Sequence, residues 1–269
     1  MTEKKRLDVA LLERGFCESR EKAKALIMAG QVYVNDRKVT KSGETVKEGD
    51  CLEVRGDKLP FVSRGGLKLQ KAVERFSLEL DGCICMDIGA STGGFSDCML
   101  QHGAKKVYAI DVGYGQLAWS LRADPRVVNL ERTNFRYVTR EQIPEEIDFA
   151  SVDVSFISLR LIVPVMRELL RDGGKAVCLI KPQFEAGKDK VGKKGVVREK
   201  GVHVEVVEGI LAFLLESGFS LLALDYSPVK GPQGNIEYLV LAQKTDAPQN
   251  GLTVTAQEIV TASHEALDR

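Results

Sequence analysis

The segment Asp87-Ile-Gly-Ala-Ser-Thr-Gly-Gly-Phe-Ser96 constrains this chain more than any other; apolar Ile84-Cys-Met86 leads into it and Cys98-Met-Leu100 leads out. It reads as a strand, a glycine loop and the start of a helix. At such a junction the carboxyl end of a parallel strand faces unsatisfied backbone N–H groups of a helix, and glycines let a ligand come close to the backbone. The loop has the form of a cofactor cradle. Its spacing is not G-x-G-x-x-G, and a phosphate-binding loop would need Gly-Lys-Ser/Thr where this chain has Gly94-Phe95-Ser96. Both nucleotide readings weaken accordingly. One unit later, Lys106-Val-Tyr-Ala-Ile-Asp111 ends a second apolar run in a carboxylate able to hold two ribose hydroxyls.

Strand-length apolar runs recur at 83–87, 106–111, 126–130, 147–154, 174–180, 219–225 and 236–242. Helix-length spacers separate most of them, which implies an α/β domain with a mostly parallel sheet covered on both faces. Ahead of the first strand, Arg64, Lys68, Lys71 and Arg75 recur at helical spacing beside an apolar stripe of Leu69, Ala72, Val73 and Phe76, so a basic-faced helix packs on this domain. After Lys244, Asp246-Ala-Pro-Gln-Asn-Gly251 breaks the pattern, and Thr255-Ala-Gln-Glu258 has the form of a capping box opening a last short helix.

Of the 269 residues, 44% are hydrophobic, enough for one large domain with a small companion. Neither a signal peptide nor a bilayer-length apolar run is expected, since the best stretch, Ile210 to Leu224, is interrupted by Glu216, Ser217, Gly218 and Ser220. The six cysteines form no C-x-x-C pair and read as reduced thiols of a cytoplasmic protein; His102, His203 and His264 are too scattered for zinc, and no metal is implied. The formal net charge is zero, so attraction to nucleic acid depends on distribution. Residues 1–64 carry 14 basic and 11 acidic side chains, and residues 181–200 seven against three.

The N-terminal stretch is a module of its own. Leu7, Ala10 and Leu11 mark a first helix stopped at Gly15; Ser19 caps a second helix whose apolar face is Ala23, Leu26 and Ile27, and Gly30 ends it. Alternating Gln31-Val-Tyr-Val-Asn35 and short strands through Val39, Val46 and Leu52-Glu-Val54 follow. The run from Ser19 to Val39 resembles the RNA-binding module shared by ribosomal protein S4, many pseudouridine synthases and bacterial tyrosyl-tRNA synthetases. That resemblance implies a phosphate-facing surface of Arg20, Lys22, Lys24, Arg37, Lys38 and Lys41; Arg64 is a further expected RNA contact. Such contacts dock an RNA without choosing a base.

Three charged residues stand where apolar strands meet one edge. Phe149-Ala-Ser-Val-Asp153 and Val177-Cys-Leu-Ile-Lys181 end in a carboxylate and an ammonium, and Glu237 begins Glu237-Tyr-Leu-Val-Leu241. If that last strand runs antiparallel, all three face one crevice. The spacing of Lys68 does not bring it there. The glycine loop and Asp111 together resemble S-adenosylmethionine-dependent methyltransferases, which implies that Asp87 and the loop residues Gly89, Ala90, Ser91, Gly93, Gly94 and Phe95 hold the methionine end, Asp111 the ribose, and Asn134 the neighbourhood of the adenine.

More specifically, Val62-Ser-Arg-Gly-Gly-Leu-Lys68-Leu, Asp87 to Phe95, Val152-Asp-Val-Ser-Phe-Ile157, Ile180-Lys-Pro-Gln-Phe-Glu185 and Gly234-Asn-Ile-Glu237 resemble the TlyA family, known as haemolysins or ribosomal RNA 2′-O-methyltransferases, whose catalytic domain is similar to the FtsJ/RrmJ ribose methyltransferases. The resemblance implies a Rossmann-like class I methyltransferase with a mostly parallel seven-stranded sheet at 64–245, an α+β RNA-binding domain at 1–56, a linker at 57–63 and a tail at 246–269. It supplies the place of Lys68, in a tetrad with Asp153, Lys181 and Glu237. The implied reaction is methylation of a ribose 2′-hydroxyl, with cytidine as the associated target, in ribosomal RNA or a ribosomal subunit.

A 2′-hydroxyl must lose its proton as it attacks, so a base has to lie within hydrogen-bond reach. Lys181 is the expected base, its neutral form favoured by the nearby Lys68 cation and by partial desolvation, while Asp153 and Glu237 orient the amines and pull the equilibrium the other way. The glycine- and lysine-rich Gly187 to Gly195 suits an RNA clamp. Three alternatives stay open at this point: a membrane-active haemolysin, for which no amphipathic or apolar segment is found, a non-catalytic RNA-binding assembly factor, and a methyltransferase acting on a small molecule or protein, for which the N-terminal module would be unnecessary.

Overall fold

The computed structural model describes residues 4–28, 30–55 and 59–268. It divides into two compact units, 1–58 and 59–269. Of the linker expected at 57–63, Asp57 and Lys58 lie outside the described residues, as does Gly56.

In the first unit, β1 (Lys4–Arg6) leads into α1 (Leu7–Glu13) and α2 (Arg20–Met28), followed by β2 (Val32–Val34), β3 (Arg37–Val39), β4 (Thr45–Lys47) and β5 (Leu52–Val54). The Ser19 hydroxyl accepts from Lys22 N at 3.2 Å, satisfying one of the free donors at the start of α2. Asn35 and Asp36, both at positive φ, make the tight turn between β2 and β3. Leu7, Leu11, Ala23, Ile27, Val32 and Leu52 close a small apolar core.

The second unit opens with α3 (Gly65–Arg75), β6 (Ile84–Ile88), α4 (Gly94–Gln101), β7 (Lys106–Ile110), α5 (Trp119–Arg122), β8 (Val127–Leu130), β9 (Ile147–Val152) and α6 (Val163–Leu169). It continues through β10 (Leu170–Ile180), α7 (Pro182–Glu185), α8 (Lys200–Glu216), β11 (Phe219–Tyr226), β12 (Tyr238–Lys244) and α9 (Ala256–Leu267). Among the described residues these strands form one seven-stranded sheet ordered β11-β12-β10-β9-β6-β7-β8. Neighbours from β10 to β8 pair in parallel, and β12 runs antiparallel to both β10 and β11. The apolar residues of this unit divide into two clusters, one containing Leu69, Phe95 and Leu239, the other Ile88, Val163, Val207 and Tyr238.

Two local differences from the sequence reading matter. β12 begins at Tyr238, opposite Ile180, so Glu237 stands one residue before the strand and not as its first member. The tail, read only as closing with a short helix, also packs on the domain: the capping box of Thr255 and Glu258 starts α9, and Ala256 and Val260 join the apolar cluster of the sheet. The cysteines are free.

Candidate active site

Parallel strands that end side by side bring their following residues to one edge. Val152 of β9 lies beside Ile88 of β6 and Cys178 of β10, and Ile180 pairs with Tyr238. Asp153, Lys181 and Glu237 each come one residue beyond these ends. Lys68 reaches them from α3, whose buried Leu69, Ala72 and Val73 hold it on the sheet. The helix face that reads as a basic stripe therefore turns partly inward: Lys68 is only 8% exposed, and Lys71 is largely covered.

The four side chains form one ion network. Lys68 Nζ donates to Asp153 Oδ2 at 3.1 Å and to Glu237 Oε2 at 2.7 Å. Lys181 pairs with the other oxygen of Asp153 and lies 3.4 Å from Ser155 Oγ. Lys181 is 7% exposed and Glu237 1%. Burial alone would pull the Lys68 ammonium down, but Asp153 and Glu237 outweigh it and hold its pKa above the ordinary lysine value. Burial likewise pushes the Asp153 carboxyl up, and the two lysines more than offset this, leaving it below the usual carboxylate value. The expected arrangement of two mutually repelling amines is modified: the Asp153 carboxylate lies between them.

The glycine loop abuts this network. Asp153 N donates to Ile88 O at 2.9 Å, and a Cβ on Gly89, at φ +89°, would stand 2.5 Å from Asp153 O. Gly93, at φ +94°, lies under Leu117 and Leu121, and only glycine tolerates that conformation and that space together. At Gly94 a Cβ would strike Ser63 Oγ and the backbone of Gly65-Gly66, so two glycine pairs let the starts of α3 and α4 touch. The sequence reading assigned the second pair and overlooked this use of the first.

Asp87 turns inward. It is wholly buried, accepting from Ser96 N at 2.9 Å, Ser96 Oγ at 2.7 Å and Ser151 Oγ at 3.1 Å. Desolvation lifts its pKa to about 6 despite those donors. Its carboxylate braces the loop from within. Phe95 is buried in the apolar cluster beside α3, and Ala90 is nearly covered. Asp111 is half-buried and accepts from Ser91 N and Gly113 N, both at 2.7 Å, which fixes its carboxylate beside the loop. Asn134 caps a short 3₁₀ turn, accepting from Arg136 N at 3.2 Å.

Ser96, Ser151 and Ser155 lie inside the quoted segments, but the sequence reading gave none of these hydroxyls a part. Phe156 was likewise given none: it is 86% exposed, at φ +63°, and its ring centroid is 5.1 Å from that of Phe184. A bulky residue in the left-handed region is uncommon, and this one stands three residues after Asp153.

Of the basic residues expected to face phosphate, Lys22 pairs with Glu18, and Arg37 with Glu44. Arg20 donates to the buried Asp8 at 3.0 Å. Lys38, Lys41 and Arg64 are exposed, Lys24 half-buried. In the lysine-rich loop, Lys188, Lys193 and Lys194 are exposed and Lys190 pairs with Glu205.

A mostly parallel sheet with an antiparallel β12, a glycine loop after β6 and a carboxylate after β7 defines an S-adenosylmethionine-dependent methyltransferase. The donor's groups fit what the chain offers: backbone N–H groups at the start of α4 for a carboxylate, close-approach glycines, and Asp111 for a ribose. Residues 61–244 match the FtsJ-like methyltransferase family and residues 5–51 the S4 domain, and the chain belongs to the FtsJ-like methyltransferase family. It is 51% identical to the Bacillus subtilis protein YqxC, described as a candidate rRNA methyltransferase, over 99% of this chain and 95% of that one. It is 40% identical to the 16S/23S rRNA (cytidine-2′-O)-methyltransferase TlyA of Mycobacterium tuberculosis, over 99% and 98%. A solved structure from Streptococcus thermophilus, described as a candidate hemolysin, shares 48% identity and a TM-score of 0.80, covering 100% of this chain and 98% of that one. Among the described residues no helix is long and apolar enough to cross a membrane, and no His/Cys/Asp/Glu group could hold a metal ion.

Proposed function

We propose that this chain methylates the 2′-hydroxyl of a cytidine ribose in ribosomal RNA, in the cytoplasm, with Lys68, Asp153, Lys181 and Glu237 as its catalytic tetrad. The observation that carries this reading is the buried Lys68–Asp153–Lys181 network packed directly against Gly89 of the glycine loop. S-adenosylmethionine supplies an electrophilic methyl group when bound. The tetrad has to take a proton from a neutral hydroxyl and hold that oxygen in line.

Lys68 contacts two carboxylates and stays an ammonium, fixing Asp153 and Glu237. Lys181 shares one carboxylate with it and, once it has given up its own proton, is the amine that accepts the 2′-hydroxyl proton. Ser155 limits its motion. Asp111 and the loop from Gly89 to Phe95 hold the donor, Asp87 keeping that loop rigid through Ser96 and Ser151. Asn134 lines the adenine side. The S4 module contributes Arg20, Lys22, Lys24, Arg37, Lys38 and Lys41 to phosphate contacts, with Arg64 from the second unit, and the lysine-rich loop adds a clamp.

The test is transfer of labelled methyl from S-adenosylmethionine to ribosomal RNA and isolated subunits, comparing the native chain with Lys181→Ala and mapping products as 2′-O-methyl nucleotides. Incorporation at a discrete cytidine, lost in the variant, supports the reading. Label on a base, or full activity in Lys181→Ala, overturns it.

A further inference from the structure

We infer that Lys71 and Asp225, which lie outside the tetrad, form a positioning pair that sets where Lys68 stands; this rests on the tetrad reading above. Lys71 lies three residues after Lys68, on the same face of α3. Its Nζ donates to Asp225 Oδ1 at 2.9 Å and to Tyr226 O at 2.7 Å, and it lies 3.7 Å from the centroid of the Tyr226 ring. Three interactions thus converge on one ammonium. Asp225 is 7% exposed; it also accepts from Tyr226 N at 2.7 Å, and Arg75, one turn beyond Lys71, adds a 3.5 Å ion pair to its other oxygen.

These contacts tie α3 to the end of β11, at the border of the sheet. From there the link to the site is short. Asp225 pairs with Leu239 and Tyr226 with Tyr238 of β12, and Ser227 N donates to Glu237 O at 2.8 Å. One helix is therefore stapled twice to adjoining strands: Lys71 to the end of β11, and Lys68 to Glu237 just ahead of β12. Lys68 has to reach Glu237 and Asp153 at once, so small rotations or slips of α3 break its geometry before they break the apolar packing of Leu69, Ala72 and Val73. The Lys71 staple resists that motion. Burying this pair at the border of the sheet is costly unless its geometry is good, and the backbone acceptor and aromatic face supply what the carboxylate alone does not.

The experiment measures methyl transfer to ribosomal RNA and S-adenosylmethionine affinity for the native chain, Lys71→Met, Lys71→Arg, the exchanged pair Lys71→Asp/Asp225→Lys, and Lys68→Met as a control. Lys71→Met is expected to lower kcat on the order of 10- to 100-fold, the scale of a misplaced group, with cofactor affinity unchanged within about twofold. Lys71→Arg is expected to regain most of that loss, whereas the exchanged pair, which loses the Tyr226 carbonyl and ring contacts and sets a lysine beside Arg75, is not. Unchanged kcat in Lys71→Met, or a loss tracked by lost cofactor affinity and melting temperature without rescue by Lys71→Arg, overturns the positioning role. Full activity in Lys68→Met would instead overturn the tetrad reading on which it rests.

Discussion

The two units of this chain carry their charges in opposite ways. In the N-terminal unit the ion pairs lie around a small apolar core, and most are open to water: Lys22 with Glu18, Arg37 with Glu44, Arg55 with Glu53. In the larger unit the charges of the proposed tetrad are covered, with Lys68, Lys181 and Glu237 each less than a tenth exposed. Exposed pairs contribute about 0 to 1 kcal/mol and exchange partners freely, whereas removing one member of a buried network leaves an uncompensated charge. Exposed cations can therefore trade a carboxylate for a phosphate, and covered ones keep a fixed geometry in which a proton can be moved. Under the proposed function, docking and chemistry ask for opposite solvation.

The sharpest way to break this contrast is at Lys181. Lys181→Ala is expected to reduce methyl transfer by a factor of about 10² to 10⁴, with cofactor binding retained, as read by labelled-methyl incorporation and titration calorimetry. Lys68→Met tests the cost of burial: stranding Glu237 and half of Asp153 is expected to destabilise the fold by about 3 to 5 kcal/mol in denaturant unfolding. A surface-like loss under 1 kcal/mol would erase the distinction between the units.

Substituting Arg37, Lys38 and Lys41 by Glu probes the other side. RNA affinity is expected to weaken and its log–log salt dependence to flatten by roughly 2, at about 0.7 for each lost single-strand phosphate contact, while cofactor affinity holds. An unchanged slope would remove these residues from the docking surface.

The smallest expected effect concerns pH. Burial is the main cause that depresses the His203 pKa below 6.5; its ring meets Tyr238 Oη at 2.7 Å and Val197 O at 3.0 Å. A depressed histidine stabilises the fold fully above the unfolded value and loses that contribution as pH falls below 6.5 towards the folded one. Asp87 acts in the reverse sense. Its folded pKa of about 6 exceeds the ordinary 3.8, so its contribution is present below 3.8 and lost as pH rises through about 6. The melting temperature of His203→Gln is accordingly expected to drop less between pH 7 and pH 5 than that of the native chain. An identical drop would exclude His203 as a source of acid sensitivity.

Much of the architecture was legible because its signals are local. The capping box at Thr255, the turn at Asn35-Asp36 and the strand ends at Asp153 and Lys181 all depend on residues within a few positions of one another. Asp87 was harder. A carboxylate after an apolar run looks the same whether it faces a ligand or turns inward to Ser96 and Ser151.

Lys68 and Lys71 mark the boundary between the two kinds of knowledge. Their helical spacing follows from the 3.6-residue period of the backbone, and so does the apolar stripe that binds α3 to the sheet. Whether the basic face meets water or carboxylates depends on what lies 85 and 169 residues away, at Asp153 and Glu237. Sequence periodicity fixes which side chains share a face, because that is a property of one segment's geometry. Their protonation and chemistry come from the charges, burial and close-packed glycines that only the assembled sheet brings together.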